Sequence, residues 1–162
     1  MRGKQLRTLG YGALLAATLI GMGFATGTAW IERAEALRLV QRGEDLKCLA
    51  ENVYYESRGE LAVGQYAVAE VTMNRVASKE FPDTVCGVVH MRGAFSWTYR
   101  TDLREPYGYE WRRAKSVAES IYDNRESPLV NGALFYHAVY VSPAWAATRR
   151  QVALIGQHIF YL

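Results

Sequence analysis

The segment from residue 54 to residue 60 contains the side chain best placed for acid catalysis. It reads Tyr-Tyr-Glu-Ser-Arg-Gly-Glu, with Glu56 near its middle. Leu49, Val53 and Glu56 recur at spacings of four and three, so they share one face of a helix that Gly59 then ends. A carboxyl group on the last turn of an apolar helix is partly desolvated and tends to hold its proton near neutral pH. This position predicts a general acid.

Other catalytic motifs are missing from the sequence. His90, His137 and His158 form no His-Glu-x-x-His motif and no Cys/His cluster, so we predict neither a metal nor another cofactor. The chain also lacks a Gly-x-Ser-x-Gly motif and a Gly-rich loop for phosphate. One well-placed acid without a clear second carboxylate is therefore the main chemical signal.

Further stretches accompany Glu56 along the chain. They span residues 48–50, 55–60, 64–65, 67–71, 74–76, 81–89, 95–98, 133–138, 143–145 and 155–161. Together they resemble the SleB-type cell wall hydrolases, the family of the spore cortex-lytic enzymes. The resemblance covers nearly everything from Leu46 to the C-terminus, and Ser57 stands where the family usually has Ala.

The resemblance implies a fold and a substrate. We expect an α+β, mainly helical domain of the lysozyme or lytic transglycosylase type with a small β-hairpin, and peptidoglycan glycan strands as its partner. Ordinary glycosidases use two carboxyl groups that flank the scissile bond. A lytic transglycosylase needs only the acid, because the C6 hydroxyl of N-acetylmuramic acid attacks its own anomeric carbon. Glu56 alone therefore favours a lytic transglycosylase that cleaves the bond between N-acetylmuramic acid and N-acetylglucosamine.

Three alternatives stay open. Glu60 could serve as a second carboxylate, which would make the protein a hydrolytic muramidase. The three histidines could converge in space on a metal, as a metal-dependent amidase that cuts the muramoyl–alanine bond would require. The domain could also bind the wall without cleaving it.

The substrate-binding residues are predicted less directly than the acid. We assign this role to Arg58, Glu60, Gln65, Asn74, Ser96, Trp97 and His137. For most of them a structural role competes. Arg58 and Glu60 could form salt bridges at the helix end, Asn74 could join Glu70 in a buried polar network, and His137 could be a core hydrogen-bonding residue. Ser96 and Trp97 fit a glycan groove and a core equally well.

Hydrophobic periodicity predicts the elements that position these residues. A second helix begins near Gly64 and continues to Val76, and a third runs from Glu110 to about Asn124. Residues 133–141 and 157–162 are rich in β-branched and aromatic side chains and predict a strand pair, with a short helical turn at Trp145 between them.

Cys48 and Cys86 are the two cysteines of the chain. An even count in an exported protein favours a disulfide, and two buried free thiols are the alternative. Such a bridge would connect the start of the Glu56 helix to the loop that follows residues 81–83.

The N-terminal segment predicts the location of the protein. Residues 8–30 carry no charge and follow a basic stretch, as in a signal peptide or a membrane anchor, although glycines interleaved with Ala and Thr make the span weakly apolar. We predict residues 1–30 as this signal or anchor, 31–45 as a connecting helix that stops at Gly43, and 46–162 as the catalytic domain. The inner membrane would thus be a partner through residues 8–30, with the domain in the periplasm, or secreted if the signal is cleaved.

The charge distribution argues against nucleic-acid binding. The formal net charge is +3, and Arg2, Lys4 and Arg7 supply that whole excess. The remaining domain is formally neutral, so no broad basic face is expected.

Overall fold

The computed structural model describes residues 11–124 and 128–162. Its α-helices are α1 (Tyr11–Ser57), α2 (Ala62–Ala77), α3 (Val85–Val89) and α4 (Gly108–Asp123). The strands are β1 (Phe135–Ala138), β2 (Gln151–Ile155) and β3 (His158–Tyr161), and short 3-10 helices span Ser96–Tyr99 and Ala144–Thr148. The chain divides into two compact units, Met1–Gln41 and Arg42–Leu162.

Helix α1 differs from the prediction at Gly43. The connecting helix was expected to stop there, but α1 continues through Gly43 to Ser57. A glycine inside a helix costs only about 1 kcal/mol. The residues after Gly43 are held by tertiary contacts that offset this cost, because Asp45 accepts a hydrogen bond from the backbone N–H of Val85 at 3.1 Å and Leu49 is fully buried.

The predicted membrane helix is not supported. Among the helices that the structure describes, none is both long enough and apolar enough to cross a membrane. The glycines among Ala and Thr lower the mean hydropathy of this segment. Residues 1–10, which include the predicted basic stretch and the first residues of the predicted span, lie outside the described residues.

The core of the second unit is helical. Leu49 and Val53 on α1 are fully buried, and α2 is buried over most of its circumference, as its apolar sequence predicted. Helix α4 turns Ala114, Val117 and Ala118 inward. The second and third predicted helices are therefore confirmed. Each methylene group buried in such a core stabilises the fold by about 0.8 kcal/mol.

A three-stranded antiparallel sheet with the order β1-β3-β2 completes the domain. The predicted pairing of β1 with β3 is confirmed, with Tyr136 opposite Phe160 and His137 opposite Ile159. The prediction missed β2, so the expected hairpin is one strand too small. Because side chains alternate along a strand, Tyr136 and His137 point to opposite faces of the sheet.

The predicted disulfide is confirmed, since Cys48 and Cys86 are bonded. The bridge joins α1 to α3. Thr84 caps α3, because its hydroxyl oxygen accepts a hydrogen bond from the backbone N–H of Gly87 at 3.1 Å. The helix that carries Glu56 is thus covalently tied to α3, a short helix where the sequence predicted a loop after residues 81–83.

Candidate active site

Glu56 lies on the last turn of α1 and is partly buried. Its Oε2 accepts a hydrogen bond from the Tyr136 hydroxyl at 3.0 Å. Burial raises the pKa of Glu56, while the Tyr136 hydrogen bond and the positive charge of Arg75 act in the opposite direction more weakly. The raised pKa is what the sequence position predicted, and it favours a carboxyl group that can donate a proton near neutral pH.

Tyr136 and Arg75 support Glu56 and were missing from the predicted site. Burial raises the pKa of Tyr136 well above its ordinary value, so its hydroxyl stays protonated and donates. Arg75 donates from Nε to the Leu134 carbonyl at 2.7 Å, which fixes the chain just before β1 to α2. The available signal for Arg75 was a cation within an otherwise apolar helix, which needs a partner when it is buried.

A small open pocket of about 210 Å³ contains Glu56. It is lined by Glu56, Ser57, Gly59, Glu60, Ala138, Tyr140, Gln157 and His158. Both carboxyl groups that the sequence singled out therefore face the same pocket.

Glu60 is held by the turn between β2 and β3. Its Oε2 accepts a hydrogen bond from the backbone N–H of Gln157 at 3.3 Å, and its Oε1 lies 3.7 Å from His158 Nδ1. Burial lowers the pKa of His158, although the negative charge of Glu60 opposes this shift. Gly156 has a φ of 57°, and a Cβ there would collide with the Glu60 carboxylate. Glu60 therefore packs closely against the turn between β2 and β3.

Three predicted binding residues make structural hydrogen bonds, and none of them lines the pocket around Glu56 in the described part of the chain. Gln65 is 1% exposed and donates to the Ser57 carbonyl at 3.1 Å. Asn74 donates to the Ala133 carbonyl at 3.1 Å. The indole N–H of Trp97 donates to Asn52 Oδ1 at 3.0 Å in the core. The structural alternative thus describes their contacts better than a groove does.

The buried polar network around Glu70 is structural. Its carboxylate accepts hydrogen bonds from the backbone N–H groups of Leu129 at 2.7 Å and Val130 at 3.2 Å. Glu70 and Asn74 therefore both bind the segment that leads into β1. This is a structural role, as predicted, although the sequence did not identify that segment as the partner.

Three other predicted binding residues also do not line the pocket around Glu56 in the described part of the chain: His137, Ser96 and Arg58. His137 points to the opposite face of the sheet from Tyr136, with its ring nitrogens 2.9 Å from the Ala138 carbonyl and 2.9 Å from the Tyr161 hydroxyl. Ser96 is exposed. Arg58 stacks over the Tyr54 ring at 5.1 Å and lines a second pocket beside the end of α1.

Metal-ligating side chains are scattered. Within residues 11–124 and 128–162, no group of three His, Cys, Asp or Glu side chains is arranged to hold a metal ion. The groups at the pocket that can exchange protons include the carboxyl groups of Glu56 and Glu60 and the imidazole of His158. The Tyr136 hydroxyl contacts this set through its hydrogen bond to Glu56.

Comparison with known proteins identifies the class. The family model described as Cell Wall Hydrolase matches residues 59–161, so the chain belongs to this family. The match begins just after Glu56. The resemblance to the SleB-type enzymes that the sequence suggested is confirmed.

Particular relatives are spore cortex-lytic enzymes. The enzyme of Bacillus cereus is 38% identical over 116 residues, which cover 72% of this chain and 43% of that protein. The enzyme of Halalkalibacterium halodurans is 33% identical over 130 residues, which cover 80% of this chain and 38% of that protein. The chain thus spans less than half the length of these relatives.

Two solved structures have a similar fold. The catalytic domain of Bacillus cereus SleB superposes with a TM-score of 0.63 at 34% identity, covering 73% of this chain and 89% of that one. The catalytic domain of the germination-specific lytic transglycosylase SleB from Bacillus anthracis gives a TM-score of 0.59 at 34% identity, covering 73% and 93%. The mainly helical architecture with a small sheet is therefore similar to that of the SleB catalytic domain.

Proposed function

We propose that this protein cleaves the glycosidic bond between N-acetylmuramic acid and N-acetylglucosamine in peptidoglycan, as a lytic transglycosylase. The observation that carries the proposal is the partly buried Glu56 carboxyl group, whose pKa burial raises and which faces an open pocket. Membership in the cell wall hydrolase family supports the substrate class. The related Bacillus anthracis domain is itself described as a lytic transglycosylase.

The reaction requires a single proton carrier. Protonated Glu56 donates its proton to the glycosidic oxygen, and the bond from that oxygen to the muramic acid C1 breaks. The C6 hydroxyl of the same sugar then attacks C1, and the Glu56 carboxylate accepts the hydroxyl proton. The product is a 1,6-anhydro sugar, no water is consumed, and Glu56 ends in its starting protonation state.

Tyr136 orients the proton on Glu56. Its hydroxyl donates to Oε2, so the carboxyl proton resides on Oε1, the oxygen left for the substrate. Tyr136 is thus a positioning residue in this scheme, and the catalytic residue is Glu56.

Glu60 is the competing second carboxylate, because it faces the same pocket. Its two oxygens are already engaged, one with the Gln157 N–H and the other near His158. These contacts favour a role in holding the turn of the sheet against the end of α1. We therefore propose that Glu60 shapes the pocket and does not attack the sugar.

Location follows from the proposed substrate. Peptidoglycan lies outside the cytoplasm, and the disulfide between Cys48 and Cys86 is of the kind that persists in an oxidising compartment. We infer that the domain acts there. The division into residues 1–30, 31–45 and 46–162 and the lysozyme-like character of the domain stay predictions.

The experiment is mass spectrometry of the fragments released from purified peptidoglycan. Wild type, Glu56→Gln and Glu51→Gln are compared, since Glu51 lies on the same helix and forms an ion pair with the exposed Lys47 at 3.7 Å. We expect anhydro-muropeptides from wild type and Glu51→Gln and almost none from Glu56→Gln.

The products separate the alternatives. Reducing-end sugars that vanish in Glu60→Gln would establish a muramidase. Free stem peptides would establish an amidase. Binding to sacculi without any release, unaltered in Glu56→Gln, would establish a binding module. Each of these results would overturn the proposal.

A further inference from the structure

A larger pocket of about 740 Å³ lies beside the last turn of α1. Its lining combines arginines, tyrosines and two acidic residues from α1, from the segment before α4 and from the start of α4. The residues are Tyr54, Tyr55, Arg58, Arg100, Asp102, Leu103, Arg104, Tyr107, Gly108, Tyr109 and Glu110. Tyr55 and Arg58 flank Glu56 in sequence, so this pocket adjoins the end of the helix that bears the proposed acid.

The walls of this pocket are held in place by a network that reaches the core. The Tyr55 hydroxyl donates to the Arg104 carbonyl at 2.9 Å, and the Tyr55 ring stacks on Trp97 with centroids 4.6 Å apart. The indole N–H of Trp97 in turn donates a hydrogen bond to Asn52 Oδ1 in the core. The segment that carries Arg104 is therefore fixed against α1.

The arginines that line the pocket differ in whether they pair with a carboxylate. Arg100 forms two hydrogen bonds with the Asp102 carboxylate, at 3.0 and 2.8 Å. In the described residues, no ion pair engages the guanidinium groups of Arg58 and Arg104, and Arg58 only stacks over Tyr54. Two guanidinium groups are thus available to a ligand with negative charge.

The start of α4 adds hydrogen-bond donors. Its N-cap residue, Tyr107, makes no side-chain capping bond, so the backbone N–H groups of the first turn remain uncapped by a side chain. The partial positive charge of a helix N-terminus favours anions. Glu110 opposes this effect, because its carboxylate lies in the first turn of the helix.

We propose that this pocket binds the peptide stem of peptidoglycan through the free carboxylates of the stem. The stem is a short peptide with both carboxylates and amide N–H groups, and it is attached to the muramic acid whose bond Glu56 would cleave. Arg104 and Arg58 bind the carboxylates, and the exposed rings of Tyr107 and Tyr109 cover the peptide. This inference rests on the proposed function, because it takes peptidoglycan as the substrate.

The test uses soluble glycan strands that bear stems, prepared with free carboxylates or with the same carboxylates converted into amides. Equilibrium binding of full-length Glu56→Gln protein is measured for both ligands, so that no cleavage occurs. Arg104→Gln is added to this background, and Arg112→Gln serves as the matched control, since Arg112 is exposed on α4 and outside the pocket lining.

We expect amidation to weaken binding about 10-fold for each charge-assisted hydrogen-bonded pair that is lost. Arg104→Gln should bind the free-carboxylate strands about 10-fold more weakly and should distinguish the two ligands less than its parent does, because Arg58 remains. Arg112→Gln should distinguish them as its parent does. Undiminished discrimination in Arg104→Gln, or equal binding of both ligands by the parent, would overturn the inference.

The outcome is separable from that of the proposed function. Discrimination that depends on Arg104, together with an absence of anhydro products from wild type, would retain the stem pocket and reject the transglycosylase. Anhydro products with no discrimination would do the reverse.

Discussion

Replacing Tyr136 by Phe removes the hydrogen bond that the Glu56 carboxylate accepts at 3.0 Å, with little change in shape. This bond stabilises the charged form of Glu56, since it acts to lower the pKa of that carboxyl group. Its loss should therefore raise the pKa of Glu56 further above its ordinary value. Glu56, the proposed general acid, would then keep its proton to a higher pH.

The magnitude follows from the surroundings of the bond. A hydrogen bond to a charged group contributes about 1.5–3 kcal/mol. Water can enter the open pocket beside Glu56 and replace part of the lost bond, so the lower end of that range applies. About 1.5 kcal/mol corresponds to a displacement of about one pH unit.

The assay is the pH dependence of kcat/KM for the release of anhydro-muropeptides, which reports the pKa values of the free enzyme. In Tyr136→Phe the alkaline limb should move up by about one pH unit. Tyr140→Phe is the matched control, because Tyr140 lines the same pocket and is 80% exposed. An alkaline limb that stays in place or moves down in a folded Tyr136→Phe protein would refute the reasoning.

Three further predictions concern stability. Glu56→Gln should unfold at a higher temperature than wild type at pH 8 and at about the same temperature at pH 3. The pKa of Glu56 is higher in the folded protein than in the unfolded chain, so the wild-type protein loses stability as pH rises above the unfolded-state pKa. A difference in unfolding temperature that is the same at every pH would contradict this. Replacing Cys48 and Cys86 together by Ser should cost about 2–4 kcal/mol in urea unfolding, and an unchanged midpoint would show that the disulfide adds nothing. Trp97→Phe should cost about 1–3 kcal/mol in the same assay, since Asn52 loses its buried donor, and a smaller loss would mean that water replaces the indole.

Local patterns predicted much of the fold. The apolar stripe that contains Leu49 and Val53 placed Glu56 on the last turn of a helix, and Gly59 indicated where that helix ends. The second and third helices and the pairing of β1 with β3 were also predictable, because each produces a hydrophobic period within its own segment. Strand β2 was missed since its short apolar run, Gln151–Ile155, gives little alternation to read.

Burial and strand direction decided the roles of several aromatic and polar residues. Sequence left Trp97 undecided between groove and core, and its buried bond to Asn52 places it in the core. His137 was assigned to substrate binding, yet the register of β1 on β3 turns it away from the face that carries Tyr136. A shift of one residue in that register would exchange these two side chains.

The sequence by itself determined the family, the second and third predicted helices and the position of Glu56, because these depend on residues close together in the chain. The environment of Glu56 was decided only by the tertiary structure. Tyr136 lies 80 residues from Glu56, and Gln157 lies 97 residues from Glu60. Hydrophobic periodicity within one segment cannot predict such contacts, because they arise only when the sheet packs against the end of α1. That packing also desolvates the carboxyl group of Glu56 and raises its pKa.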